Sequence, residues 1–170
     1  MAWRHPFDKK LITSRFGATA NRPTPHRGLD YAPKANTVIP AASGGVIRRV
    51  AWSNVLGWYV VQEATDRITG KKVFIGYCHL SCSVHGPECK GPTLGAHSPL
   101  KSTVVGQAKK LGEAIGKVGN TGSASRGAHL HLTIGPTENS VISGKVIDPE
   151  QFIDEQLAGP KSCPTCKRAF

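Results

Sequence analysis

Three short groups of residues carry side chains able to do chemistry together. In Gly127-Ala128-His129-Leu130-His131-Leu132, two histidines stand two residues apart. Side chains alternate along a strand, so both imidazoles face one way while Leu130, Leu132 and Ile134 face the other. In Pro25-His26-Arg27-Gly28-Leu29-Asp30, a histidine stands four residues before an aspartate, and both residue types are good zinc ligands. The third group is Gly76-Tyr77-Cys78-His79-Leu80, a strand end carrying another histidine. Taken singly, each group is also what a structural histidine with a satisfied hydrogen bond would look like. Their combination points to a metal held by imidazole and carboxylate beside further imidazoles that can move protons.

The elements that must position these groups read mostly as β. Alternation and turn residues predict strands near 46–52, 58–64, 71–78, 114–118 and 128–134, and Thr37 to Pro40 is also strand-like. The second and third of these are joined by Thr65 to Gly70, a polar connection ending in Gly, as in an antiparallel hairpin. That pairing predicts Tyr77 and His79 on one face. One helix is expected, with Asp148 as N-cap, Pro149 at its first position, Phe152, Ile153 and Leu157 as its apolar stripe, and Gly159 and Pro160 as terminators. The 19 glycines and 12 prolines fit short strands and many turns rather than a helical bundle.

These groups, in this order, resemble the lysostaphin and LytM type of zinc peptidases, peptidoglycan hydrolases that carry HxxxD, then Tyr-x-His-Leu, then HxH. The likeness extends to Ile12 through Gly17 as the opening strand and turn, Thr37 to Ala41 with Gly44-Gly45-Val46 as first core strands, Gly116 to Gly122 as the glycine turn before HxH, and Ile147 to Phe152 as the closing element. About residues 11–155 are covered. The resemblance implies a mainly β fold, an antiparallel sheet or sandwich of the duplicated hybrid motif kind, with a long loop insertion near 81–113 and a short C-terminal helix. It further implies a catalytic domain over 1–160 followed by a basic CxxC tail at 161–170. It makes His26, Asp30 and His131 the ligands of a catalytic zinc ion, and His129 and His79 the pair that handles protons and the oxyanion. Three protein ligands leave a fourth tetrahedral position for water, which is the catalytic pattern. The HxxxD spacing is shorter than that of the related D-alanyl-D-alanine carboxypeptidases and hedgehog-type domains, which favours the endopeptidase branch. Some relatives place an oxyanion-assisting tyrosine shortly before the first zinc histidine. Ala18 to Pro25 contains none, which leaves Asn21, Arg22 or no residue in that role.

Five cysteines do not make a simple disulfide framework. Cys78 reads as a small buried hydrophobe. Cys82, Cys89, Cys163 and Cys166 form Cys82-x2-His85-x3-Cys89 and Cys163-Pro164-Thr165-Cys166, and are candidates for a second, structural zinc site, with disulfides or free thiols as the alternatives. The 81–113 segment is expected to wall a substrate groove. His85, His97 and His5 read as solvated surface groups. Trp3, Trp52 and Trp58 read as core or edge packing rather than a glycan platform, because nothing spaces them as one stripe.

The net charge of +11 is spread as Lys9/Lys10, Arg48/Arg49, Lys71/Lys72 and Lys109/Lys110 rather than as one tract, and predicts a polyanionic partner. With the resemblance, that partner is bacterial peptidoglycan and its anionic wall polymers. No complete nucleic-acid recognition motif is present, and no apolar run reaches the length of a membrane span. Met1 to Lys10 lacks an apolar stretch of the secretory kind. The expectation is therefore a monomeric zinc-dependent endopeptidase cutting peptide bonds in peptidoglycan. It would be a phage endolysin made in the host cytoplasm and released to the wall through holin pores, or else a cell-separation enzyme. The rival is a non-catalytic wall-binding or activator module of the same fold, which predicts missing ligands.

Overall fold

The computed structural model describes residues 2–20, 22–82 and 103–159. Among these residues a short 3-10 helix (Lys9–Leu11) is followed by nine strands and one α-helix, β1 (Ile12–Ser14), β2 (Leu29–Tyr31), β3 (Val38–Pro40), β4 (Gly45–Ser53), β5 (Gly57–Thr65), β6 (Lys72–Leu80), β7 (Ala108–Lys109), β8 (Ala114–Lys117), β9 (Leu130–Gly135) and α1 (Pro149–Ala158). Seven strands form one sheet in the order β1-β2-β9-β6-β5-β4-β7, and β3 pairs with β8 in a second. Every pairing is antiparallel. This is the mainly β architecture with a single short C-terminal helix that the sequence led us to expect.

Alternation explains the large sheet. Leu130, Leu132 and Ile134 of β9, Ile75 and Tyr77 of β6, Val60 of β5 and Ile47 of β4 all enter one core, which also receives Ile39 of β3 and Ile115 of β8. The small sheet thus closes the face that the large one could not leave wet. The β5–β6 hairpin turns where expected. The Asp66 carboxylate accepts from the N–H groups of Ile68 and Thr69, and Gly70 adopts φ +72, a left-handed conformation that glycine takes without a Cβ clash.

Helix α1 begins at its predicted cap. Asp148 accepts from Glu150 N at 2.9 Å and Gln151 N at 3.2 Å, and Pro149 fills the first helical position. Its buried stripe differs from the expected one. Phe152 and Ile153 are buried, but Leu157 is 50% exposed and Gln156 is fully buried in its place. The Gln156 amide donates to Asp66 Oδ1 at 2.8 Å and accepts from Arg67 N at 2.7 Å, so the helix docks on the hairpin turn through hydrogen bonds.

Three further expectations are corrected. Tyr77 and His79 do not share a face, because β6 carries a bulge in which Trp58 opposes Leu80 and Val60 opposes Tyr77. The extra residue is His79, with φ +62, and Leu80 takes the core place that plain alternation would give to His79. His5 is not a solvated surface group; its ring lies between the Tyr31 hydroxyl at 2.7 Å and Asp154 Oδ1 at 2.9 Å, tying the N-terminal segment to β2 and α1. The 81–113 segment is not loop throughout, since β7 lies within it and pairs with β4. Trp3 and Trp58 are buried, as expected, and Trp52 packs edge-to-face on Trp58. Among the described residues no helix is long and apolar enough to cross a membrane.

Candidate metal centre

Strand pairing assembles the site. Asp30 of β2 is the direct cross-strand partner of His131 of β9, and His131 is the partner of Cys78 in β6. Directly opposed residues point to the same face, here the face turned away from the Leu130-Leu132-Ile134 core. His26 reaches in from the segment before β2. Its Nε2 lies 3.0 Å from His131 Nδ1 and 3.1 Å from Asp30 Oδ1, and His131 Nδ1 lies 2.8 Å from the same oxygen.

The tautomers follow from the surroundings. His26 Nδ1 lies 3.0 Å from the Arg15 carbonyl, which can only accept, so this nitrogen carries the proton and Nε2 presents a lone pair. Three potential ligand atoms, His26 Nε2, Asp30 Oδ1 and His131 Nδ1, therefore converge within 4.8 Å. Their separations of 2.8 to 3.1 Å approach the edge of about 3.3 Å in a tetrahedron with metal bonds of about 2.0–2.1 Å. The donor set thus fits a divalent ion of zinc type. Burial alone would raise the Asp30 pKa, but His131 and His26 together hold it well below the usual carboxylate range, so the carboxylate stays charged.

Two more imidazoles stand beside this cluster. The His79 and His129 ring centres are 4.7 Å apart, and His79 is 5.8 Å from His131. His79 Nδ1 donates to Thr121 O at 2.8 Å, and His129 Nδ1 to Gly127 O at 2.8 Å, which leaves both Nε2 atoms as acceptors. His129 Nε2 is 3.9 Å from Asp30 Oδ1. Burial pushes the His79 pKa down to about 3, with His129 and His131 adding to the effect, so this ring is neutral at ordinary pH. A groove of about 550 Å³ lies over the cluster, with Asp30, His79, His129 and His131 in its lining. His26 is 4% exposed and buried behind them.

All five residues of the three motifs thus meet at one place. Several partners were not foreseen. Gly28, inside the HxxxD motif, lies so close to His131 that a Cβ there would stand 2.5 Å from Cε1 of its ring; a glycine between two potential ligands was the available signal. Ser14, Thr121 and Gly127 orient histidines through hydrogen bonds that span up to 42 residues of chain, and no local pattern marks them. Arg22 donates to Asp30 Oδ2 at 3.0 Å and to Ser14 Oγ at 3.2 Å. Asn21, His85, His97, Cys89, Cys163 and Cys166 lie outside the described residues. Cys82 is buried in the main core, and Cys78 is buried on the opposite face, where loss of solvent pushes its thiol up to about 12. No described residue of the 81–113 segment lines the groove, so the expected wall is not built from Ser81, Cys82 or residues 103–113.

No family model matches the chain. It is 27% identical over 133 residues to the peptidoglycan DD-endopeptidase ShyC of Vibrio cholerae, covering 75% of this chain and 25% of that protein. The chain thus spans about a quarter of the length of the curated relatives it matches. Among solved structures, LytU superimposes with a TM-score of 0.63 at 28% identity, over 89% of this chain and 90% of LytU. The catalytic domain of the antimicrobial peptidase lysostaphin from Staphylococcus simulans gives 0.61 at 24% identity, over 85% of this chain and 92% of that domain. The fold is that of the lysostaphin and LytM-type peptidases, and the resemblance carried by the motifs extends to the whole architecture.

Proposed function

On this fold, we propose that the protein is a zinc-dependent endopeptidase that hydrolyses peptide bonds of bacterial peptidoglycan. The observation that carries the reading is the convergence of His26 Nε2, Asp30 Oδ1 and His131 Nδ1 on the floor of a groove that two further, hydrogen-bonded imidazoles share. His26, Asp30 and His131 would hold the metal. A bound zinc ion supplies Lewis acidity to a carbonyl oxygen and acidifies water. His129 accepts the proton of the attacking water at Nε2, the nitrogen its bond to Gly127 leaves bare and the one that faces the ligand cluster. His79 is held neutral with Nδ1–H on Thr121, so in the resting site its Nε2 accepts a hydrogen bond and orients the water. Hydrolysis then breaks the amide C–N bond, and the proton collected by the histidines passes to the leaving amine.

Residues 1–160 serve as the catalytic unit in this reading, with 161–170 as a basic tail, and Cys82, Cys89, Cys163 and Cys166 stay candidates for a second metal, with disulfides or free thiols as the alternatives. The charge of +11 suits an enzyme of endolysin type that must stay on a wall rich in anionic polymer. The test is metal content and wall lysis measured together. Wild type is expected to bind zinc and to release fragments with new amino termini, identified by mass. His131→Ala is expected to lose the catalytic zinc and lysis alike. Firm zinc binding with no fragment released from walls of any cross-link type would overturn the enzyme reading.

A further inference from the structure

Asp30 turns one oxygen to the histidine cluster and the other to Arg22. Oδ1 lies 2.8 Å from His131 Nδ1 and 3.1 Å from His26 Nε2, while Oδ2 accepts from Arg22 Nη2 at 3.0 Å. The same Arg22 nitrogen donates to Ser14 Oγ at 3.2 Å, which uses both of its hydrogens. Ser14 is the cross-strand partner of Asp30 in the β1–β2 pair, and its Oγ lies 3.1 Å from His26 Nδ1. One guanidinium nitrogen therefore touches one candidate ligand and reaches a second through a single hydroxyl. The arm that carries it folds back on itself. Gly17 N donates to His26 O at 2.8 Å, His26 N to Ala18 O at 2.9 Å, and Arg22 N to Thr19 O at 3.2 Å.

Attraction of a metal is not what this pairing supplies, since a guanidinium beside a cation site repels the ion. It supplies direction. A carboxylate can give a metal one oxygen or both, and Asp30 is buried, so turning Oδ2 to the cluster would break a charge-assisted hydrogen bond with little water to replace it. Resting on the zinc endopeptidase reading, we infer that Arg22 is a positioning residue that commits Asp30 to the metal through Oδ1 alone. Three protein donors then remain three, and one place of a tetrahedron stays open for chemistry.

The experiment uses the full chain, stripped of metal and saturated with cobalt(II), as wild type, Arg22→Met and Ser14→Ala. Cobalt d–d absorption per bound ion is intense with four ligands and weak with five or six, and His131→Ala supplies the background from any other site. Wild type is expected to give the intense band, and Arg22→Met to weaken it several-fold as Oδ2 joins the ion. Ser14→Ala disturbs the same arm but leaves Arg22 on Asp30, and His26 keeps its bond to Arg15 O, so its band should match wild type. The Tm of each metal-free variant reports its folding, and Arg22→Ala stands in should Arg22→Met not fold. A weak band from wild type, equal bands from wild type and Arg22→Met, or the same loss in Ser14→Ala overturns the inference. Lysis of cell walls by the zinc-loaded wild type, measured alongside, would leave the endopeptidase reading standing in each of those cases. An intense band weakened by Arg22→Met, in a protein that lyses no wall, supports the role of Arg22 and overturns the endopeptidase. Uptake of neither cobalt nor zinc at the cluster overturns both.

Discussion

At the scale of single residues, the centre separates groups that would hold a metal from groups that would move protons. The difference is testable without solving another structure. His129→Gln and His79→Gln are expected to keep one zinc at the cluster while lowering kcat by about 10²–10⁴-fold, the usual worth of a positioned acid–base group. Gly28→Ala should behave in the opposite way. The added methyl group would lie 2.5 Å from both His131 Cε1 and Leu132 O, so the ring must leave its place. The expected outcome is a zinc affinity lowered by roughly 10–100-fold, as when a ligand's support is disturbed, read by competition with a chromogenic chelator. The candidate ligand residues themselves were legible in the chain, because His, Asp and their spacing are local. The tautomer of each histidine was not, since Arg15 O, Thr121 O and Gly127 O that set it are backbone atoms whose positions depend on the fold.

Elements show how plain patterns are bent by context. Leu157 completes an apolar stripe on paper, yet α1 turns Gln156 inward to meet the β5–β6 turn. Gln156→Ala is therefore expected to cost about 1–3 kcal/mol in urea unfolding, the price of removing hydrogen-bond partners from buried polar groups, whereas Leu157→Ser should stay within about 0.5 kcal/mol. On the large sheet, Glu63 of β5 bridges Arg48 of β4 at 3.0 Å and Lys72 of β6 at 3.0 Å. The hydrogen bond from Arg48, then that from Lys72, lowers the Glu63 pKa below its ordinary value in spite of partial burial. A carboxylate with a depressed folded-state pKa binds fewer protons folded than unfolded, so its contribution is present above the unfolded pKa and fades as pH falls through the folded one. Thermal unfolding of Glu63→Gln against wild type should show a difference at neutral pH that shrinks below about pH 4.5. Since exposed pairs contribute little, that difference is small and is expected to narrow in high salt.

At the scale of the whole molecule, a metal at the cluster would be coupled to the fold, and the net charge acts as a field. Asp30 and His131 join β2 to β9, and His26 joins the segment before them, so an ion bound at the cluster bonds to the folded state alone. Chelation is expected to lower Tm by several degrees and added zinc to restore it in a concentration-dependent way, by mass action. The charge of +11 acts at longer range. Association with isolated walls should weaken steeply between low and physiological ionic strength, in parallel for wild type and His131→Ala, because it depends on the summed field rather than on the metal.

The sequence by itself was enough for the strand alternation, the hairpin, the cap at Asp148, the family resemblance and the five residues that could do chemistry, because each is written in periods and spacings of a few residues. Only the tertiary structure decided which of them meet and how they are aimed. His26 and His131 are 105 positions apart, and their contact follows from strand order, which no local pattern encodes. The bulge that turns His79 toward His131, the inward turn of Gln156, and the pairing of Arg22 with Asp30 depend on the same cause. Each is settled by competition among distant partners for space and hydrogen bonds, and that competition exists only once the sheet has closed on its core.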